Sequence, residues 1–420
     1  MPTLGDPPAA AHYLAQARAT RAYTVRHLAY YAGGTTCADA HWISYRRSTA
    51  EPEYSDSWYD FSQLQADAAL AALGDADAAC YVERAFRHLE GHWDARPPGG
   101  YFGRGAIDGS WVGGPDKYAD DNALAGLALL EAHAGAGEPA AGARYLARAV
   151  AVGEYLTRGP LWDDVFGGGF WWRTRRGDSV EGKPAQSNGL AALLFLRLAR
   201  ATGDARWSTW AARTLAWLDA ALWDHAAQLY RYSVHYADLT ARRGRAVEQR
   251  YFNYDQAILV EALVAVAAAA SEPASAAAGS SPGGANAGSA PAPAAALARA
   301  RAIAGALEAR FWDPALGGSV LEAGVPQVLV VYAAWLTPAL LTLAAADGDA
   351  RWVAAARRNV DALHARCYDP VDGGYAHRAW REAGPVRLDP ERHTAAQAWM
   401  QLAQARLART LAAGSRSQPA

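Results

Sequence analysis

Trp162-Asp163-Asp164-Val165-Phe166-Gly167-Gly168-Gly169-Phe170 decides the fold, because the chain repeats its pattern. Trp93-Asp94 precedes Gly99-Gly100-Tyr101, Trp312-Asp313 precedes Gly317-Gly318, and Tyr368-Asp369 precedes Gly373-Gly374-Tyr375. Trp223-Asp224 keeps the start of the pattern without its glycines. Successive marks at 93, 162, 223, 312 and 368 are each separated by one helical hairpin plus a loop, stretched once by an insertion. Between them lie tight links of a second kind. Gly74-Asp75-Ala76-Asp77, Gly203-Asp204-Ala205-Arg206 and Gly348-Asp349-Ala350-Arg351 each offer a turn glycine and an aspartate able to cap the next helix.

Apolar residues recur at helical spacing in twelve segments, and strand-like pieces are confined to short aromatic runs beside the glycines. The class is therefore all-α. Helices are expected at about 9–32, 56–73, 76–92, 116–134, 140–157, 184–202, 205–222, 253–270, 295–311, 327–346, 349–366 and 392–412. Six hairpins with alternating short and long connections close into an (α/α)6 toroid, a six-hairpin barrel with short β-hairpins in its long loops. Helices opening at Trp58, Tyr118, Gln186, Tyr254, Gln327 and His393 form the inner ring, and the first helix packs beside the last. The long loops then gather above the N-termini of the inner helices, and the site is expected there. The whole chain, 1–420, reads as one such domain. An Ala/Gly/Ser/Pro segment at about 271–294 lacks periodicity and is expected to be a disordered loop inside one hairpin. Its Gly279-Ser280-Ser281-Pro282-Gly283 matches G-x-S-x-G only formally, having neither the strand nor the helix that a nucleophile elbow needs.

Composition narrows the function. Of 420 residues, 51% are hydrophobic and 20% charged, which suits a large core and excludes a disordered or fibrous chain. Lys plus Arg is 40 against 42 Asp plus Glu, and no helix face gathers the cations, so nucleic acid is not an expected partner. Lys117 and Lys183 are the only lysines, a usage that fits GC-rich coding better than a binding role. Cys37, Cys80 and Cys367 are far apart and in no metal-type spacing, and are expected as buried thiols in a reducing compartment. Neither an export segment nor 18 unbroken apolar residues is visible, so the expected location is cytoplasmic, without a membrane partner. With no H-E-x-x-H, C-x-x-C, EF-hand or phosphate-loop pattern, neither a metal nor another cofactor is implied.

Chemistry concentrates in Tyr118-Ala119-Asp120-Asp121-Asn122-Ala123-Leu124. Asp120 and Asp121 flank an apolar stripe one turn inside an expected inner helix. Two neighbouring acids at low dielectric do not both ionise easily. One is pushed toward acid work while the other, helped by the helix N-terminus, stays anionic. A pure capping role is the competing reading of the pair. Asp163-Asp164 looks equally acidic, but Asp163 is the repeat-position aspartate and is assigned to a structural turn.

Loop aromatics suit pyranose rings, which present one apolar face and a rim of hydroxyls. The candidate substrate-binding residues are Tyr118, Trp171, Trp172 and Tyr254, joined by the polar helix-start residues Asn188 and Gln256. A carbohydrate is thus the expected partner, and the oligomeric state is not readable. Two other functions remain open: a sugar isomerase like the N-acylglucosamine 2-epimerases, using His393 and His235, and a non-catalytic carbohydrate-binding toroid.

Asp120-Asp121-Asn122 with Gly126-Leu127-Ala128-Leu129-Leu130, Gly167 to Trp172, the Asn188 helix and Phe252-Asn253-Tyr254-Asp255-Gln256 together resemble glycoside hydrolase family 76, the α-1,6-mannanase family of six-hairpin glycosidases. The resemblance spans about residues 10–410. It implies a retaining two-carboxylate hydrolysis of α-mannosidic, α-1,6-linked chains, with Asp120 as nucleophile and Asp121 as general acid/base. Two departures stand out: Ala123-Leu124 where family members often carry a Trp, and Asp255-Gln256-Ala257 in place of Asn-Gln-Gly.

Overall fold

The computed structural model describes residues 7–31, 37, 40–43, 54–106, 112–113, 116–269, 291–382 and 384–416. Twelve α-helices occupy the described residues. They are α1 (Pro7–His27), α2 (Ser57–Ala71), α3 (Ala76–Glu90), α4 (Ala119–Ala134), α5 (Pro139–Arg158), α6 (Ala185–Thr202), α7 (Ala205–Leu222), α8 (Asn253–Ala269), α9 (Pro293–Phe311), α10 (Val330–Asp347), α11 (Ala350–Cys367) and α12 (Thr394–Arg416).

Burial divides them into two rings. The first three turns of α4, α6 and α8 are buried on every face, so these helices are walled in by others on all sides. The outer helices bury one stripe, as α3 does with Ala78, Tyr81, Val82, Phe86 and Leu89. Contacts run α2 to α4, α4 to α6, α6 to α8, α8 to α10, α10 to α12 and α12 back to α2, a closed inner ring. Each inner helix also packs on its hairpin partner, and α1 packs on α12 as expected. This is the (α/α)6 toroid. Part-way down the ring interior, Arg197 pairs with Glu261 and Arg406 with Glu131.

The repeated loops are small antiparallel hairpins: Trp93 pairs with Tyr101, Trp162 with Phe170, Trp223 with Tyr230, Trp312 with Ser319, and Tyr368 with Tyr375. Gly167, Gly317 and Gly373 take positive φ five residues after the aromatic mark. In the glycine-free copy Gln228 holds that place at φ 55°, so the turn geometry persists where its residue signature is lost. The three tight links turn as read, with Asp75, Asp204 and Asp349 accepting a backbone N–H at the start of the following helix.

Three expectations need correction. Residues 327–329 are a strand paired with Arg378–Trp380, so α10 opens at Val330 and Gln327 does not start an inner helix. The first helix stops at His27, and Ala29–Tyr31 pairs with Ala40–Ile43. Cys37 and Cys80 are joined by a disulfide across 43 residues; Cys80 belongs to α3, against which Ala40–Ile43 packs. Cys367 alone is a buried free thiol. Residues 270–290, most of the Ala/Gly/Ser/Pro segment with its Gly279-to-Gly283 match, lie outside the described residues. By length and composition α10 could cross a membrane, but here it is an inner-ring helix buried by its neighbours.

Candidate active site

The start of α4 is set by a crossing of two segments. Ala119 N–H donates to the Trp172 carbonyl at 2.8 Å and Thr174 N–H to the Lys117 carbonyl at 3.1 Å. This fixes Tyr118 as an extended residue ahead of the helix and puts Asp120 and Asp121 in its first turn. Both are almost fully buried, at 5% and 8% exposure.

Their surroundings differ. Asp120 Oδ2 accepts a hydrogen bond from the Trp172 indole at 3.2 Å. Burial pushes its carboxyl up from the ordinary range, while the amides at the helix start and the indole pull it back. Among the described residues Asp121 has only the Ser57 hydroxyl, 3.5 Å from its Oδ2. Burial pushes it well above the carboxylate range, and the charges of Asp120 and Asp56 push it further. Asp120 is thus equipped to carry the charge and Asp121 the proton. Gly103 stands between them and the neighbouring loop: a Cβ there would come within 2.9 Å of the Tyr118 ring and 3.5 Å of Asp121 Oδ2.

Aromatic rings surround the pair. Tyr118 packs on Trp172 with centroids 5.1 Å apart. A continuous band runs from Tyr59 through Trp58, Tyr332, Tyr254 and Phe252 to Tyr232, with Tyr332 and Tyr254 only 4.3 Å apart. Burial holds the Tyr232, Tyr254 and Tyr332 hydroxyls protonated, and the charge of Asp120 reaches all three. Asp255, on the first turn of α8, is fully buried, and burial pushes its carboxyl well above the usual range.

Other expected site residues are placed differently. Trp171 is buried, and its indole donates to Asp163 Oδ2 at 2.7 Å. Asn188 spends its amide on the backbone: Phe170 N–H donates to its Oδ1 at 2.7 Å, while its Nδ2 donates to the Phe170 and Pro184 carbonyls. Gln256 grips both backbone groups of Tyr230 in the same way. Asn122 does this to Tyr101 and Gln397 to Tyr375, so four inner helices each hold the hairpin before them by one amide side chain. Both amides are wholly buried and engaged in this clamp, which leaves no exposed donor for a sugar. Of the expected residues, the structure brings together Asp120, Asp121, Tyr118, Trp172 and Tyr254.

Asp163 is occupied by Lys183 at 2.7 Å, Arg176 at 2.9 Å and the Trp171 indole; against the opposing effect of burial, Lys183, the indole and the Val165 amide hold its carboxyl low. The two lysines have a specific structural role. Lys183, wholly buried, donates to Asp163 and to the Val165 and Gly168 carbonyls. Lys117 donates to Asp94 and the Gly99 carbonyl, so each plugs one copy of the repeated loop. The histidines of the isomerase reading have different neighbours, and His393 lies 6.2 Å from the Tyr59 ring of the aromatic band. His235 belongs to a strand and contacts the Tyr236 carbonyl, while His393 stacks on His377 at 3.7 Å and contacts Glu391. Among the described residues no group of three or more His, Cys, Asp or Glu is arranged to hold a metal.

Sequence reasoning missed Ser57, Tyr332 and Asp56. Their shared signal is position, within or beside the first turn of an inner helix.

Residues 110–273 match the model of glycosyl hydrolase family 76. Among curated proteins none matches the chain. The fold is shared with a family 76 α-mannanase of Bacteroides thetaiotaomicron at TM-score 0.73 and 16% identity, covering 96% of this chain and 99% of that one. It is shared also with an α-1,6-mannanase of Salegentibacter sp. HEL1_6, solved as an inactive variant with two adjacent aspartates replaced, in complex with an α-1,6-linked mannotetraose. That match has TM-score 0.69 and 16% identity, covering 95% and 99% of the two chains. A sugar epimerase from a ruminal bacterium has the same toroid at TM-score 0.66 and 11% identity, with 93% and 98% covered. The central segment thus matches the model of glycosyl hydrolase family 76, and the whole chain shares the toroid fold of solved enzymes of that family.

Proposed function

We propose that the protein is a retaining glycosidase acting on α-mannosidic, α-1,6-linked chains, with Asp120 as nucleophile and Asp121 as general acid/base. The observation that carries this reading is the unequal pair at the start of α4: one acid bonded by an indole at 3.2 Å, its neighbour reached by a hydroxyl at 3.5 Å. Asp121 gives its proton to the departing glycosidic oxygen while Asp120 attacks the anomeric carbon, forming a glycosyl ester. Asp121, now ionised, takes a proton from water, which attacks the same carbon and frees Asp120 with overall retention. The Tyr118–Trp172 pair and the Tyr254–Tyr332 pair supply faces for the sugar ring. The α-1,6 linkage is supported by the Salegentibacter enzyme, whose variant holds an α-1,6-linked mannotetraose.

The test is hydrolysis of α-1,6-linked mannotetraose by Asp120→Asn and Asp121→Asn, with exposed Asp164→Asn as control. Each site variant should lose on the order of 10³-fold or more in kcat with unchanged circular dichroism, because a transition-state group is lost and packing is not. Retained activity in either variant refutes the assignment.

A further inference from the structure

Asp56 is a third carboxylate at this site. It ends a strand paired to Arg104–Ala106 and caps α2, its Oδ1 accepting the Trp58 N–H at 3.2 Å. The next residue, Ser57, is the one whose hydroxyl reaches Asp121. Helix capping alone does not account for an acid here. Side-chain caps open the outer helices α3, α7 and α11 but not the outer α5 and α9, and the inner helices α4, α6 and α10 begin on Tyr118, Pro184 and Leu329 with none, so a helix of this ring does not need one. Asn or Ser would cap α2 as well without adding a negative charge beside two more acids.

We infer that Asp56, which adjoins the Ser57 that touches Asp121, is a positioning residue whose nearby charge keeps the proton on Asp121 in the resting enzyme. The inference rests on the reading of Asp121 as the acid. The groups facing these carboxyls are Asp120 on the same helix, Tyr118 ahead of it, Tyr332 on α10, and Arg104 across the strand pair, whose positive charge opposes burial at Asp56. Asp56 adds to the repulsion felt by both Asp120 and Asp121, so it disfavours the doubly ionised pair.

The decisive variant is Asp56→Asn, which keeps the cap and removes the charge; Asp56→Ser checks that the result does not depend on the amide. Both limbs of the kcat/KM–pH profile should move to lower pH, the alkaline limb by about one unit or more, as loss of a nearby like charge requires. In parallel, the Asp121 carboxyl is followed by ¹³C NMR in aspartate-labelled protein, identified by its loss in Asp121→Asn. Its midpoint should fall in both Asp56 variants. A uniform loss of activity with an unmoved profile and an unmoved Asp121 midpoint overturns the inference and leaves Asp56 a cap. A falling midpoint in a protein that hydrolyses no mannoside upholds the charge coupling and sinks the hydrolase reading instead.

Discussion

Replacing Lys183 by Met tests whether the repeated loops are held by buried ions. The ammonium is wholly buried, stays cationic at neutral pH although burial lowers it to about 8, and donates to Asp163 Oδ1 at 2.7 Å and to the Val165 and Gly168 carbonyls at 2.6 Å each. Methionine fills much of the volume and serves none of these acceptors. Breaking a buried pair costs about 3–5 kcal/mol. Asp163 keeps Arg176 and the Trp171 indole, which argues for the lower end, about 3 kcal/mol. With an unfolding entropy of about 2.1 cal/mol/K per residue, a chain of 420 residues loses 1 °C for each ~0.9 kcal/mol, so Tm should fall by about 3 °C in a calorimetric scan. Activity should fall too, by about tenfold, because the same loop leads into Trp172 and the indole that holds Asp120. A Tm within 1 °C of the parent would mean that the ammonium merely fills space, and the reasoning would fail.

Trp172→Phe keeps the ring stacked on Tyr118 and removes the donor to Asp120. It should lower kcat/KM by about 10–100-fold, the equivalent of one hydrogen bond to a charged group, with Tm little changed. Asp255→Asn should stabilise the protein increasingly as pH rises. The folded carboxyl is raised above its unfolded value, so wild-type stability is fully present below about pH 4 and is lost as pH rises toward the folded value. The gap between variant and parent should widen between pH 4.5 and 6.5 by up to ~1.4 kcal/mol per unit in thermal melts; a constant gap would contradict the burial argument. Thiol titration of the unfolded chain should count one group before reduction and three after it, and three at the outset would mean that Cys37 and Cys80 are not bonded.

The ring was readable because its repeat lies in turn chemistry, which a hairpin needs whatever its partners: an aromatic, an aspartate, and a glycine at positive φ. The placement of Asp120 and Asp121 together in the first turn of an inner helix was readable for a similar reason, since they are adjacent in the chain. What escaped was pairing across distance. Asn188 and Gln256 look like sugar-binding amides until the hairpins they grip are seen, and no local pattern distinguishes an amide that bonds a backbone from one that bonds a ligand. Val328-Leu329-Val330-Val331 reads as one apolar helix start, and only the partner strand Arg378–Trp380 shows where strand gives way to helix. Asp56 reads as an ordinary cap, since the acids it faces lie on the next inner helix. The Cys37–Cys80 bond follows no spacing rule either.

The amide clamps divide labour within the molecule. Asn122, Asn188, Gln256 and Gln397 grip main-chain N–H and C=O groups, never the side chain of the residue held. The gripped position is therefore free to vary in chemistry while its height above the ring stays constant. A toroid built this way is a chassis with standard sockets: hairpins of different length or lining plug into the four clamping inner helices, and new substrate preferences arise at the rim without renegotiating the core.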